Sequence, residues 1–167
     1  MDDTNFTAPP PAAPTPDGAV MRKLNERATK IFMTLVEGLR VSDARKVDNA
    51  KGAFMAVSVD FLVGEEIRTA SGPGWALYAI AHHSLANGDL IPDPDVELYV
   101  VDDPERPGEK AVYPIAIDHG PLGYHRYADL VRTGQLANLR PRGQADLARF
   151  CDVWMKNIAA QQRLEVR

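Results

Sequence analysis

The sequence predicts an α+β protein: an antiparallel sheet of about four strands, arranged as a β-meander, flanked by an N-terminal and a C-terminal helix packed on it. Two observations predict this fold. Apolar residues recur with helical spacing near both ends of the chain, and the middle alternates apolar and polar residues in short runs separated by turn signals. The length of 167 residues fits one such domain over residues 20–167, preceded by a short tail.

The N-terminal helix follows a stretch without helical periodicity. Residues 1–19 are rich in Pro and Ala and poor in large apolar side chains, which predicts a disordered tail. Within residues 21–39 the apolar side chains have helical spacing: Leu24, Ala28, Ile31, Phe32, Leu35 and Leu39. We expect the polar residues 40–52 that follow to form a loop or a short helix.

Four strands are predicted between the two helices. Alternating runs place them within residues 53–63, 75–85, 96–101 and 111–117. Asn87-Gly88 is the strongest turn signal, because both residues tolerate positive φ. Asp93-Pro94-Asp95 is interpreted as a turn before the third strand, since proline favours an extended preceding residue. Residues 124–131 are expected to be a short strand or the start of a helix.

The C-terminal helix has the clearest periodicity. Between residues 144 and 163 the apolar side chains follow an i, i+3, i+4, i+7, i+11 pattern: Leu147, Phe150, Cys151, Trp154 and Ile158. Because Cys151 lies on this apolar stripe, we expect a buried and unreactive thiol.

Composition narrows the function classes. A net charge of −4 gives no general attraction to nucleic acid or anionic lipid. One cysteine leaves no internal disulfide and no Cys-rich zinc site, which favours a reducing cytoplasm. No apolar run approaches the ~20 residues that cross a bilayer. The phosphate-loop, dinucleotide-binding, serine-elbow and HExxH motifs are absent.

The stretch AIAHHSLANGDLIPDPD, residues 79–95, contains the candidate pocket or turn residues: His82, Asn87, Gly88, Asp89, Asp93 and Asp95. The leading interpretation is structural, a strand, a turn and the next strand. A pocket for a partner or ligand is the second interpretation. The third is a divalent-metal or catalytic site that combines one histidine with these carboxylates or with His119. His82 and His83 would point to opposite faces of a strand, so both cannot ligate one ion.

Arginines near the last helix form an anion-binding candidate: Arg140, Arg142 and Arg149. A helix N-terminus with nearby arginines can bind phosphate, which would allow weak nucleic-acid binding. The competing interpretation is a solvated surface.

The candidate stretch resembles the hallmark of an uncharacterised bacterial domain family of conjugative and integrative mobile elements and phages. The matching residues are Ala81, His82, Asn87, Gly88, Asp89, Leu90, Asp93, Pro94 and the acidic Asp95. The resemblance covers roughly residues 27–162 and departs from the pattern at His83 and Leu85. It implies a setting, accessory functions of mobile elements, and no mechanism.

The sequence therefore favours a small, non-enzymatic cytoplasmic accessory protein of mobile-element or phage origin. We expect a protein partner, no membrane and no cofactor. The alternative is a metal-dependent hydrolase or nucleotide-processing enzyme that uses His82, Asp89 and Asp93. Weak nucleic-acid binding through the arginines is a second alternative.

Overall fold

A computed structural model of the protein describes residues 21–64, 74–131 and 136–167. Within these ranges lie two α-helices, one six-stranded sheet and one two-stranded sheet. The α+β class and the two helices that flank an antiparallel sheet are confirmed. The predicted tail, residues 1–19, lies outside the described residues. Neither of the two helices is long and apolar enough to cross a membrane.

The large sheet is an antiparallel meander in which each strand pairs with the next along the chain. In spatial order its strands are β1 (Ala44–Val47), β2 (Val57–Gly64), β3 (Ala76–Ala86), β4 (Asp89–Asp102), β5 (Lys110–Asp118) and β6 (Tyr124–Arg126). A short 3-10 helix, Gly120–Leu122, connects the last two, and β7 (Asp129–Leu130) pairs with β8 (Leu136–Ala137).

The predicted number of about four strands was wrong, because β1 and β6 are also part of the sheet. Both are short edge strands. β1 carries Arg45 and Lys46 and has no buried residue, so the segment expected to be a loop or a short helix gives no alternating apolar signal. β6 is only three residues long, and its pairing with β5 is a long-range contact that local periodicity does not report.

Helix α1 spans Glu26–Val36 and is shorter than the predicted 21–39. Asn25 is its N-cap, because the Asn25 side chain accepts a hydrogen bond from the backbone N–H of Ala28 at 2.8 Å. Leu24 lies outside the helix, since its N–H donates to the C=O of Val112 on β5 at 2.8 Å. Gly38 follows the helix with a φ of +76°, a conformation that ends helices.

Helix α2 spans Pro141–Gln161 and confirms the predicted C-terminal helix, with an earlier start. Pro141 occupies the first turn, where the missing N–H costs no helical hydrogen bond. Cys151 is buried as expected, and burial raises the pKa of its thiol well above the usual range. Phe150, expected on the buried stripe, is exposed instead and stacks on Trp154.

Both helices pack on the same face of the large sheet. Their buried side chains form one cluster with alternate strand residues: Val57, Val59, Phe61, Tyr78, Ile80, Val96, Leu98, Val100 and Val112. A second cluster on the opposite face centres on Tyr99, Tyr113 and Ile115, with Leu130 and Leu136 of the small sheet packed against it. The middle of the sheet is therefore buried on both of its faces.

Two fully buried glutamines join α2 to the two sides of the sheet. Gln144 accepts from the backbone N–H of Arg22 at 2.7 Å and donates to the C=O of Arg22 at 2.8 Å and of Pro114 at 3.1 Å. Gln162, at the end of the helix, accepts from the N–H of Asn49 at 2.7 Å and donates to the C=O of Met55 at 3.0 Å. Both amides thus satisfy backbone groups of segments far away in sequence.

Replacing Gln144 with Leu is expected to lower the free energy of unfolding by about 2–4 kcal/mol, because buried backbone groups of Arg22 and Pro114 lose their partner. Urea unfolding would measure the change. Gln161→Leu, at a partly exposed glutamine near the end of the same helix, is the matched control and is expected to change stability by less than about 1 kcal/mol. Equal effects of the two substitutions would contradict the anchoring role of Gln144.

Candidate functional site

The candidate stretch forms the distal half of a long hairpin between β3 and β4. Asn87 and Gly88 make its two-residue turn with φ values of +52° and +84°, which confirms the predicted turn. The predicted start of the next strand at residue 96 was wrong, since β4 begins at Asp89. β2 pairs with β3 only as far as Ala81, and β5 pairs with β4 only as far as Asp95. Residues 83–86 and 89–92 therefore extend beyond the sheet.

Asp93 and Pro94 lie inside β4 at a bulge and not in the turn that the sequence suggested. The register passes from Ala81 opposite Asp95 to His83 opposite Pro92, so two β4 residues stand opposite one β3 residue. The Asp93–Pro94 peptide bond is cis. A bulge tolerates proline because a ladder hydrogen bond is already absent there, which is why the sequence pattern was misleading.

His82 lies at the base of the extended hairpin and packs on α2. Its side chain is only 7% exposed, and its ring meets that of Trp154 edge-on with 5.5 Å between the centroids. Within the described residues, His82 Nε2 has no hydrogen-bond partner. Burial lowers the pKa of His82 below its usual 6.5, although the negative charge of Asp93 opposes the shift. At neutral pH His82 is therefore an uncharged packing residue.

Asp95 lies directly opposite Asp118 of β5. Burial raises the pKa of Asp95 to about 6, and the charges of Glu97, Asp118 and Asp60 act in the same direction, while His83 lowers it. The carboxyl group of Asp95 therefore titrates closer to neutrality than an ordinary aspartate.

Glu97, next on the same face of β4, belongs to a polar network that sequence analysis missed. Arg126 Nη2 donates to Glu97 at 3.1 Å, and the Tyr124 hydroxyl donates to it at 3.3 Å. Both partners come from β6, in a segment for which the sequence left a short strand and the start of a helix open. The alternating residues Tyr124 and Arg126 were the available signal, but only the pairing of β6 with β5 places them beside Glu97.

The structure brings only part of the predicted site together. Asp93 faces His82 closely enough to affect its pKa, whereas Asp89 is exposed at the turn, about 13 Å further along the strand. The ring of His119 lies 6.0 Å from that of His125. Across residues 21–64, 74–131 and 136–167, no three His, Cys, Asp or Glu side chains form a group that would hold a metal ion.

Two leucines near the turn are the most exposed apolar residues of the hairpin. Leu85 is 75% exposed and lies opposite Leu90, which is 69% exposed. Their symmetric spacing about Asn87-Gly88 was the sequence signal that would have paired them. Leu122 is also exposed, on the 3-10 helix whose Gly120 packs closely against β4. Exposed apolar side chains therefore flank the turn of the hairpin.

Two of the three arginine candidates lie at the start of α2, and the third lies further along the helix. Arg140 precedes the helix and Arg142 lies in its first turn, both exposed. Arg149 lies two turns further on, about 10 Å along the axis, where it donates to Asp146 at 2.7 Å. The charge of Arg149 is thus locally balanced.

A groove with a volume of about 1270 Å³ runs along α1. Its floor includes the apolar Leu24 and Tyr78. Ion pairs form much of its rim, including Lys23 with Asp103 at 2.9 Å and Lys30 with Glu26 at 3.2 Å. The groove is lined by six basic and five acidic side chains, so it offers little net charge to a charged ligand.

Comparison with known families matches residues 24–164 to a family described as Domain of unknown function (DUF6908). The chain belongs to this family. The match spans nearly the stretch over which an uncharacterised domain family was predicted, and it includes the whole β3–β4 hairpin. No curated protein and no solved structure matches the chain. Membership in DUF6908 therefore assigns no activity, and functional inference depends on the geometry described above.

Replacing Asp95 with Asn is expected to stabilise the protein by about 1 kcal/mol at pH 7. The pKa of Asp95 is about 6 in the folded state and about 3.8 in the unfolded chain, so wild-type stability falls as pH rises from about 4 to about 6 and is constant above. The full shift corresponds to about 3 kcal/mol, which solvent screening at this partly exposed site reduces.

Urea unfolding of wild type and Asp95→Asn between pH 4 and pH 8 would test this expectation. The Asn variant is expected to lack the fall in stability between about pH 4 and pH 6. Asp89→Asn removes an exposed carboxylate from the same strand and is the control. An Asp95→Asn profile parallel to that of wild type would refute the assignment.

Replacing His82 with Leu is expected to change the free energy of unfolding by less than about 1 kcal/mol at pH 7. The substitution removes a buried nitrogen without a hydrogen-bond partner, which stabilises the protein, and part of the ring contact with Trp154, which destabilises it. The pKa of His82 is lowered in the folded state, so its contribution is complete above pH 6.5 and is lost as pH falls below that value. The variant should therefore lose less stability between pH 7 and pH 5 than wild type. His125→Leu, at an exposed histidine, is the control in thermal unfolding.

Proposed function

We propose that this protein is a non-enzymatic binding module that recognises a protein partner through the distal half of the β3–β4 hairpin. The observation that carries the proposal is the exposed pair Leu85 and Leu90 on strands that continue past the sheet. Apolar side chains grouped on a projecting element are typical of interaction surfaces. Leu122, on the 3-10 helix that packs against β4, adds to the same region.

The polar residues of the hairpin support binding more than chemistry. His82 is buried against Trp154, where it holds the base of the hairpin to α2. Asp89 and Asp93 are exposed and separated along β4, as expected of charged residues at the rim of an interface. In this proposal the family-like residues of the hairpin shape and present a surface, and Asn87-Gly88 sets its turn.

The setting we propose is that of an accessory protein of a bacterial mobile genetic element or phage, acting in the cytoplasm. The resemblance of residues 81–95 to the hallmark of such a family supports the origin. The single buried thiol, Cys151, is compatible with a reducing compartment.

Replacing both Leu85 and Leu90 with Ser is expected to reduce recovery of the partner at least tenfold, because the central apolar contacts of an interface carry most of its affinity. The measurement is quantitative affinity purification of tagged protein from lysate of the native host. Val153→Ser changes an exposed apolar residue on α2 and is the control. Urea unfolding would verify that all variants are folded. Equal recovery by wild type and the double variant would refute this binding surface.

A further inference from the structure

We infer that the partner is bound by strand addition, in which an extended, cationic segment pairs with the open edge of β3. The open edge is defined as residues 83–86. This inference rests on the proposed function and specifies the backbone geometry and the charge of the partner.

The open edge exists because β3 extends further than the neighbouring strand β2. The pairing of β2 with β3 ends at Ser58 opposite Ala81, whereas β3 continues to Ala86. Within the described residues, the part of β3 beyond Ala81 pairs only with β4. One side of this part of β3 is therefore available to another strand.

The direction of the backbone groups follows from the neighbouring ladder. The Phe61 N–H donates to the C=O of Asp43 at 2.9 Å, so the backbone groups of Phe61 face β1. Backbone groups alternate sides along a strand, so those of Ser58, three residues earlier, face β3 and bond to Ala81 opposite.

The same alternation along β3 identifies the free groups. Because the N–H and C=O of Ala81 face β2, those of His83 and Leu85 point to the same side, where β2 has ended. The groups of Ser84 and Ala86 point towards β4, in agreement with Ala86 closing the two-residue turn opposite Asp89. His83 and Leu85 thus offer two donors and two acceptors at strand spacing.

This edge lacks the usual protection against pairing. Exposed edge strands are normally blocked by charged residues or proline. β3, Ala76–Ala86, contains no Lys, Arg, Asp, Glu or Pro. The other edge strands differ: β1 carries Arg45 and Lys46, and β6 carries Arg126. An unprotected edge beside the exposed Leu85 is the arrangement that strand-addition sites use.

Charge complementarity selects the occupant. β3 and β4 together contain no Lys or Arg. Of the five carboxylates of β4, Glu97 pairs with Arg126 and Asp102 with Lys110. The other three, Asp89, Asp93 and Asp95, lie in the half of β4 nearest the open edge. A strand added to the open edge would lie about 10 Å from β4, two strand spacings away. Lysine or arginine side chains on the added strand would reach Asp89 across the small Ala86. The partner segment is therefore extended and cationic, with apolar residues that cover Leu85.

The test uses the full-length protein and synthetic fluorescent peptides of eight residues. The first peptide alternates Lys and Val, the second alternates Glu and Val, and the third is the Lys–Val peptide with its central amides N-methylated. Fluorescence anisotropy would measure binding. We expect the Lys–Val peptide to bind at least tenfold more tightly than either of the others, because the second repels the carboxylates and the third cannot pair.

Amide hydrogen exchange followed by NMR would locate the peptide. Addition of the Lys–Val peptide is expected to slow exchange of the His83 and Leu85 amides at least tenfold, and to leave the Ser84 and Ala86 amides little changed. Leu85→Pro, which removes one free donor but no hairpin hydrogen bond, is expected to bind more weakly than Leu85→Ala. If Leu85→Pro does not fold, strand addition is tested by comparing the affinities of the Lys–Val peptide and its N-methylated form.

Equal binding of the N-methylated peptide would overturn strand addition, and equal binding of the Glu–Val peptide would overturn the cationic partner. Absence of Lys–Val binding up to 1 mM, a limit that corresponds to about −4 kcal/mol, would overturn both. Protection of His83 and Leu85 by self-association without peptide would make a second copy the occupant. In each case, loss of the native partner in the Leu85→Ser/Leu90→Ser variant would still support the proposed function.

Discussion

The hydrogen bonds of two buried glutamines in α2 are the constraint on which the rest of the structure depends. Gln144 joins the segment before α1 to Pro114 of β5, and Gln162 binds Asn49 and Met55 in the segment that connects β1 to β2. Buried backbone groups without partners are costly, so these amides determine where the helix crosses the sheet. Gln162 follows Gln144 by 18 positions, which correspond to five helical turns and place both on one side of the helix.

The position of α2 in turn determines how the hairpin is held. Trp154, between the two glutamines, contacts the ring of His82 at the point where β3 passes the end of β2. Up to this point the hairpin is part of the sheet, and beyond it, among the residues that the structure describes, the two strands pair only with each other. A rigid base with a projecting tip suits binding, because the partner loses little affinity to ordering of the hairpin.

Charged side chains are distributed differently around α1 and on the β3–β4 hairpin. Around α1, acidic and basic side chains are paired, as in the ion pairs of Lys23 and Lys30. In the distal half of β4, Asp89, Asp93 and Asp95 occur without lysine or arginine in the same hairpin, and burial raises the pKa of Asp95 to about 6. A small net charge of −4 therefore conceals a local acidic surface. Local surfaces of this kind attract a cationic partner and set its orientation.

The sequence by itself determined the features that depend on neighbouring residues. The Asn87-Gly88 turn, the apolar stripe of α2 and the burial of Cys151 follow from local conformational preference and periodicity. The tertiary structure decided the rest: β1 and β6, the start of β4 at Asp89, the bulge at Pro94, and the open edge. These depend on pairing between distant segments, which stabilises strands of weak local preference and turns polar residues such as Gln144 and His82 inward.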